Sequence, residues 1–93
     1  MENKVMTEEK IWSLIGFLEV SPARKKTFKA IGDADYILPS NICRKTNLTS
    51  SQVSNALKDL KNKELVICLN EEVSKGRLYK CTDLGLKVLT KLK

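Results

Sequence analysis

Histidine is absent from the 93 residues. That removes the commonest general base near neutral pH and the commonest transition-metal ligand together. Cysteine is scarce: Cys43, Cys68 and Cys81 are odd in number, and no two stand in a C-x-x-C spacing. Such a set argues against a secreted disulfide framework and for a reducing cytoplasm. Two prolines, four glycines and no internal repeat rule out collagen-like, solenoid and low-complexity architectures. Aromatic residues make up 5% of the chain, which offers few platforms for stacking unpaired RNA bases. No Gly-rich phosphate loop and no G-x-S-x-G occurs, and the carboxylate pairs Asp33/Asp35 and Glu71/Glu72 fall in expected loops. Neither catalysis nor a cofactor or metal is expected.

Long apolar runs are missing too. The longest candidate, Ile11 to Leu18, is eight residues, against about 20 for a bilayer span. Glu8 and Glu9 precede it and Arg24-Lys25-Lys26 follow it, the reverse of a signal peptide's charge order. It reads as part of a folded protein with no membrane partner.

What is present fits a small folded domain: 42% apolar and 30% charged residues in 10.5 kDa. One domain with an extra helix is expected, with roughly two-thirds of the chain's surface hidden on folding. A core of that size leaves no evident cavity for a small-molecule effector. The net charge is +6, and it is uneven. Residues 1–20 carry two lysines and four glutamates, so residues 21–93 hold fifteen cations against seven carboxylates, or +8. A basic body favours a polyanion, nucleic acid first and an anionic membrane surface second.

Along the chain, Ile11, Leu14, Ile15 and Leu18 recur at helical spacing over residues 7–20, with Glu8 and Glu9 suited to a helix start. Trp12 and Phe17 widen the apolar face beyond what a small core needs. Two readings follow: a core helix, or a surface that covers a second copy of the protein. Ser21-Pro22 is an N-cap followed by Pro at the first helical position, and Gly32 is the matching stop. Tyr36-Ile37-Leu38 has the makings of a short strand. A helix from Pro39 or Ser40 to about Thr46 turns Ile42 and Cys43 inward. Thr49-Ser50-Ser51-Gln52 is a capping box, and Val53, Leu57 and Leu60 stripe the helix behind it. Leu65 to Leu69 and Arg77 to Cys81 bracket a charged loop as a β-hairpin. Thr82-Asp83 caps a last helix striped by Leu84, Val88 and Leu92, in which Gly85 implies a close backbone contact.

Helix, helix, short helix, turn, capped helix, hairpin, helix is the order of a helix-turn-helix followed by a wing. Three stretches carry a family resemblance: Leu48 to Leu60, Lys63-Glu64-Leu65-Val66, and Lys75 to Gly85. From about Ser21 to Lys93 the chain resembles the winged helix-turn-helix transcription regulators of archaeal and bacterial type, the broad ArsR/MarR-like group. The resemblance implies a mainly α fold with a small β-hairpin wing, residues 21–93 binding DNA and residues 1–20 an added N-terminal helix. The chain departs from the pattern at Glu64, where the group often has Gly, while Cys81 takes the place of an apolar residue.

The residues give an independent reason to expect DNA. Opposite Val53, Leu57 and Leu60, the helix of about residues 50–64 presents Ser51, Ser54, Asn55, Lys58 and Asn62: short donors and acceptors, one cation, no carboxylate. Such a face enters a major groove without repelling phosphate, so Ser51, Ser54, Asn55 and Lys58 are the expected base readers. Ser50, Gln52, Arg44, Lys45, Lys61, Lys75 and Arg77 are candidates for the backbone, the last two on a wing of about residues 70–77 that reaches the minor groove or phosphates. Arg24, Lys25 and Lys26 are further phosphate candidates.

The expected function is therefore sequence-specific recognition of double-stranded DNA by a transcription regulator. A homodimer is expected, with Ile11, Trp12, Phe17, Leu86 and Leu89 as seam candidates. The competing reading is a winged-helix module that docks on a larger transcription or replication complex. Cys68 and Cys81 fall on the two expected strands. Without a third ligand they read as buried structural thiols rather than a switch.

Overall fold

The computed structural model describes residues 4–92, with side chains from residue 8 onwards. Among the described residues, five helices and one hairpin follow in order: α1 Lys4–Glu19, α2 Pro22–Ile31, α3 Pro39–Thr46, α4 Ser50–Asn62, β1 Val66–Cys68, β2 Tyr79–Cys81 and α5 Asp83–Lys91. The molecule measures 41 × 26 × 19 Å.

Local chemistry sets most of the boundaries. The Ser21 hydroxyl accepts from the Arg24 N–H at 3.3 Å, Pro22 opens α2, and Gly32 closes it with φ 51°. Asn47 ends α3 in the left-handed region at φ 62°, its N–H donating to the Cys43 carbonyl at 2.8 Å. Thr49 and Gln52 form the full capping box: the Gln52 N–H donates to Thr49 Oγ1 at 3.1 Å, and the Thr49 N–H to Gln52 Oε1 at 2.9 Å. Two orphan donors are thereby satisfied, and the entry into α4 is fixed.

α4 stops at Asn62, two residues earlier than the periodicity suggests, because Glu64 adopts φ 62° and turns the chain into β1. α1 begins earlier than expected, at Lys4, so Glu8 and Glu9 lie past its first turn. The strand expected at Tyr36–Leu38 contracts to a single bridge. Ile37 exchanges both main-chain hydrogen bonds with Tyr79, at 2.9 and 3.0 Å, and Pro39, which has no N–H to add, opens α3.

β1 and β2 pair antiparallel, with Val66 opposite Cys81 and Cys68 opposite Tyr79. The hairpin is joined to α5 through Thr82. Its N–H donates to the Leu65 carbonyl at 3.0 Å and its hydroxyl to the Glu64 carbonyl at 2.6 Å, while the same hydroxyl accepts from the Gly85 N–H at 2.9 Å. Gly85 sits so close to β1 that a Cβ there would lie 2.1 Å from the Leu65 carbonyl oxygen. Only glycine fits, as its position in the helix suggests.

One core runs through the molecule. Phe28, Ile31, Ile42, Val53, Leu57, Leu60, Leu65, Val66 and Val88 are buried together with Ile11, Leu14 and Leu18 of α1. Ile11, a candidate for the dimer seam, thus belongs to the protomer's own interior and is 6% exposed. Phe17 is half-buried beneath Arg24, whose guanidinium lies 3.9 Å from the ring centroid. Leu86 and Leu89 are half-buried against the core, and Trp12 stands 58% exposed.

Candidate nucleic-acid interface

α4 presents the face read from its sequence. Ser51, Ser54, Asn55, Lys58 and Asn62 are exposed, and Val53, Ala56, Leu57 and Leu60 are buried behind them. The helix has one carboxylate, Asp59, and it is turned aside: Arg24 Nη2 donates to Asp59 Oδ2 at 3.0 Å. The outer face is therefore free of negative charge. At its start, Ser50 is exposed, and Gln52 is exposed with its amide oxygen committed to the capping box.

Beside this face runs an open groove of about 830 Å³. Leu38, Pro39 and Ser40 at the start of α3 form one wall, Ser54, Lys58 and Lys61 of α4 another, and Lys75, Gly76 and Arg77 of the wing a third. Three lysines and an arginine line it, with no carboxylate among the lining residues. Ser40, Leu38 and Tyr79 are parts of this surface that the sequence did not single out, because the Ile37–Tyr79 bridge brings them there over a separation of 42 residues.

The basic candidates fare differently. Lys58 and Lys75 are exposed, and Gly76 at φ 71° turns the loop beside Lys75. Arg77 is engaged within the wing: Nε donates to the Val73 carbonyl at 2.7 Å and Nη2 to the Glu71 carbonyl at 3.2 Å. Arg77, singled out in the sequence as a backbone or minor-groove candidate on the wing, thus braces the loop through two of its donors. Asn70 completes that brace, accepting from the Leu78 N–H at 2.8 Å and donating to the Gly76 carbonyl at 3.1 Å.

Lys61 Nζ lies 2.8 Å from Glu71 Oε2, and that hydrogen bond holds the Glu71 carboxyl below its ordinary range. The exposed Arg44 donates to Asn41 Oδ1, and Lys45 Nζ donates to the Ala30 carbonyl at 3.3 Å. Arg24, tied to Asp59 and to the Phe17 carbonyl at 2.7 Å, serves packing instead of a free phosphate site, and Lys25 pairs with Glu19 at 2.9 Å.

The cysteines lie in structural positions. Cys81 is buried on β2, and burial, aided by the nearby charge of Asp33, pushes its thiol up to about 11. Cys68 is also buried, with its thiol 3.6 Å from Asn70 Oδ1. Among the described residues, no group of three or more His, Cys, Asp or Glu gathers as a metal site. No helix among them is long and apolar enough to cross a membrane.

No protein-family model and no curated protein sequence matches the chain. Two solved structures do resemble it in three dimensions. One is TubR bound to 24 bp of tubC from Bacillus thuringiensis serovar israelensis pBtoxis, with a TM-score of 0.74 and 13% identity over 87% of this chain and 89% of that one. The other is the S. aureus MepR–DNA complex, with a TM-score of 0.67 and 18% identity over 90% of this chain and 70% of that one. With the helix-turn-helix of α3 and α4 and the antiparallel wing after it, these likenesses establish a mainly helical winged helix-turn-helix fold.

Proposed function

We propose that this chain is a DNA-binding transcription regulator that reads double-stranded DNA sequence-specifically. α4 enters the major groove, and the wing of residues 70–77 lies against the minor groove or the phosphates. The observation that carries the reading is the outer face of α4: five exposed polar or cationic residues, with the helix's only carboxylate withdrawn to Arg24. Ser51, Ser54, Asn55 and Lys58 are its base readers. Lys58, Lys75 and the exposed Arg44 supply phosphate contacts. The two structural neighbours were both solved with DNA, which supports the same reading.

The protein acts as a homodimer whose seam includes Trp12, 58% exposed on α1, and the half-buried Leu86 and Leu89 of α5. Two copies of α4 then meet a near-palindromic site at successive major grooves about 34 Å apart. With about three or four phosphates neutralised per protomer, log affinity falls with log salt at a slope of about −6.

Selection of bound fragments from random duplex DNA, followed by a mobility shift on the enriched sequence and a sizing measurement of the free protein, tests the reading. Enrichment of a two-fold symmetric site and a dimer are expected. A monomer without duplex affinity at low salt would instead favour docking on a larger assembly, the reading that the exposed Trp12 also suits.

A further inference from the structure

Lys61 and Glu71 stand on two different parts of the candidate interface, and each neutralises the other. Lys61 closes α4 and lines the groove; Glu71 opens the wing loop. Their ammonium and carboxylate are 2.8 Å apart. The loop aims that carboxylate through its backbone. Arg77 Nη2 donates to the Glu71 main-chain carbonyl at 3.2 Å, Arg77 Nε donates to the Val73 carbonyl at 2.7 Å, and Asn70, next to Glu71, is held across the loop by the Gly76 carbonyl and the Leu78 N–H. The hydrogen bond between the two side chains raises the Lys61 ammonium and lowers the Glu71 carboxyl, so both are charged at neutral pH. A carboxylate held this way offers the ammonium the same kind of anionic oxygen that a phosphodiester would.

We propose that Glu71 is a built-in competitor for phosphate that determines selectivity: it occupies Lys61, so that this cation is withheld from the backbone of random DNA. Binding to random sequence is almost wholly electrostatic, and its strength follows the number of cations free to meet phosphates. Keeping one cation paired lowers that background without touching Ser54 or Asn55. At a cognate site, base contacts draw α4 deeper into the groove and Lys61 exchanges Glu71 for a phosphate. The inference rests on the DNA-binding reading above. Glu71 is exposed and Lys61 half-buried, so solvent screens the pair and its effect is modest, about two- to fivefold in affinity for random duplex.

Fluorescence anisotropy with a random-sequence duplex across a salt series tests it on four proteins: the unchanged chain, Glu71→Gln, Lys61→Gln and the double variant. Glu71→Gln is expected to tighten binding about two- to fivefold and to steepen the salt slope by about 0.9 for each protomer bound. Lys61→Gln alone leaves the slope where it was, and the double variant has the slope of Lys61→Gln, because neither has a cation at position 61 to release. Glu71→Ala, which cannot form a new amide contact, reproduces the direction of Glu71→Gln.

Two results overturn the proposal: no response to either Glu71 replacement, or a flatter slope for Lys61→Gln alone, which would mean that Lys61 already reaches phosphate with Glu71 in place. If none of the proteins binds duplex at low salt, the DNA-binding reading falls and takes the proposal with it. If the unchanged chain binds and the Glu71 variants match it, only the proposal falls.

Discussion

Arg24 on α2 and Asp59 on α4 are 35 residues apart in the chain, and their side chains meet at 3.0 Å. The same guanidinium donates to the Phe17 carbonyl at 2.7 Å and stacks 3.9 Å from the Phe17 ring on α1. One side chain thus joins the N-terminal helix, α2 and the helix that carries the outer polar face. A planar fork suits this task, since Arg offers donors along two edges and a flat surface for the ring.

Replacing Arg24 with Ala is expected to cost about 1–2 kcal/mol, from the lost hydrogen bonds and the lost ring contact. Arg24→Lys should recover less than half of that, because an ammonium cannot serve Phe17 and Asp59 as a fork does. Urea denaturation checks this through the midpoint, with the slope of the transition unchanged. An Arg24→Lys protein as stable as the parent would mean that charge alone, and not the fork, matters here.

The elements governed by short-range chemistry were legible in the sequence. Ser21-Pro22, the Thr49–Gln52 box, the α4 stripe and the tight site at Gly85 each announce themselves within a few residues, and each is found. The outer face of α4 follows from the stripe by geometry alone. What the sequence concealed depends on partners distant in the chain. Ile11 looks like any residue on a broad apolar face until α1 packs against α2 and α5, which leaves it inside. Arg77 reads as a wing cation for the minor groove or phosphates, and only the path of the loop brings the Val73 and Glu71 carbonyls to it. Lys61 is likewise a solvated lysine on a helical wheel, and the turn at Glu64 is what swings Glu71 beside it.

Asn55 is the sharpest probe of base reading, because it is exposed at the middle of the outer face and its amide can pair bidentately with a base edge. Asn55→Ala should weaken the selected site by about 1–3 kcal/mol and leave random duplex binding nearly unchanged. Competition assays with both DNAs measure the ratio. Equal losses on the two would remove Asn55 from the base-reading set.

Glu64 occupies a backbone conformation that suits glycine. Its φ is 62°, and its side chain is exposed; the described contacts there are made by its main chain, whose N–H donates to the Lys61 carbonyl at 2.9 Å and whose carbonyl accepts from the Thr82 hydroxyl at 2.6 Å. A residue with a Cβ pays about 1–2 kcal/mol for the left-handed region, and part of the gain from glycine is returned as extra freedom in the unfolded chain. Glu64→Gly should therefore stabilise the fold by about 0.5–1 kcal/mol, read as a higher midpoint in urea, with the Thr82 bond intact. A lower midpoint would mean that the Glu64 side chain contributes more than the strain it imposes.

Cys81 gives the stability of the protein a dependence on alkaline pH. Burial raises its thiol from 9.0 to about 11, with the charge of Asp33 acting in the same direction. The folded state therefore keeps the proton over a range where the unfolded chain has lost it, so the unfolded state binds fewer protons there and stability falls as pH rises. This contribution is whole below pH 9 and is lost progressively as pH climbs through about 11. Urea midpoints for the parent and for Cys81→Ala, taken at about pH 8 and about pH 10.5, isolate it: the parent should lose on the order of 2 kcal/mol more than the variant between the two conditions. The same protonated, buried thiol should resist alkylation at neutral pH while the half-buried Cys43 reacts first. Parallel declines in the two proteins, together with modification of Cys81 at the rate of Cys43, would mean that β2 opens readily and that the hairpin is not the closed support the wing requires.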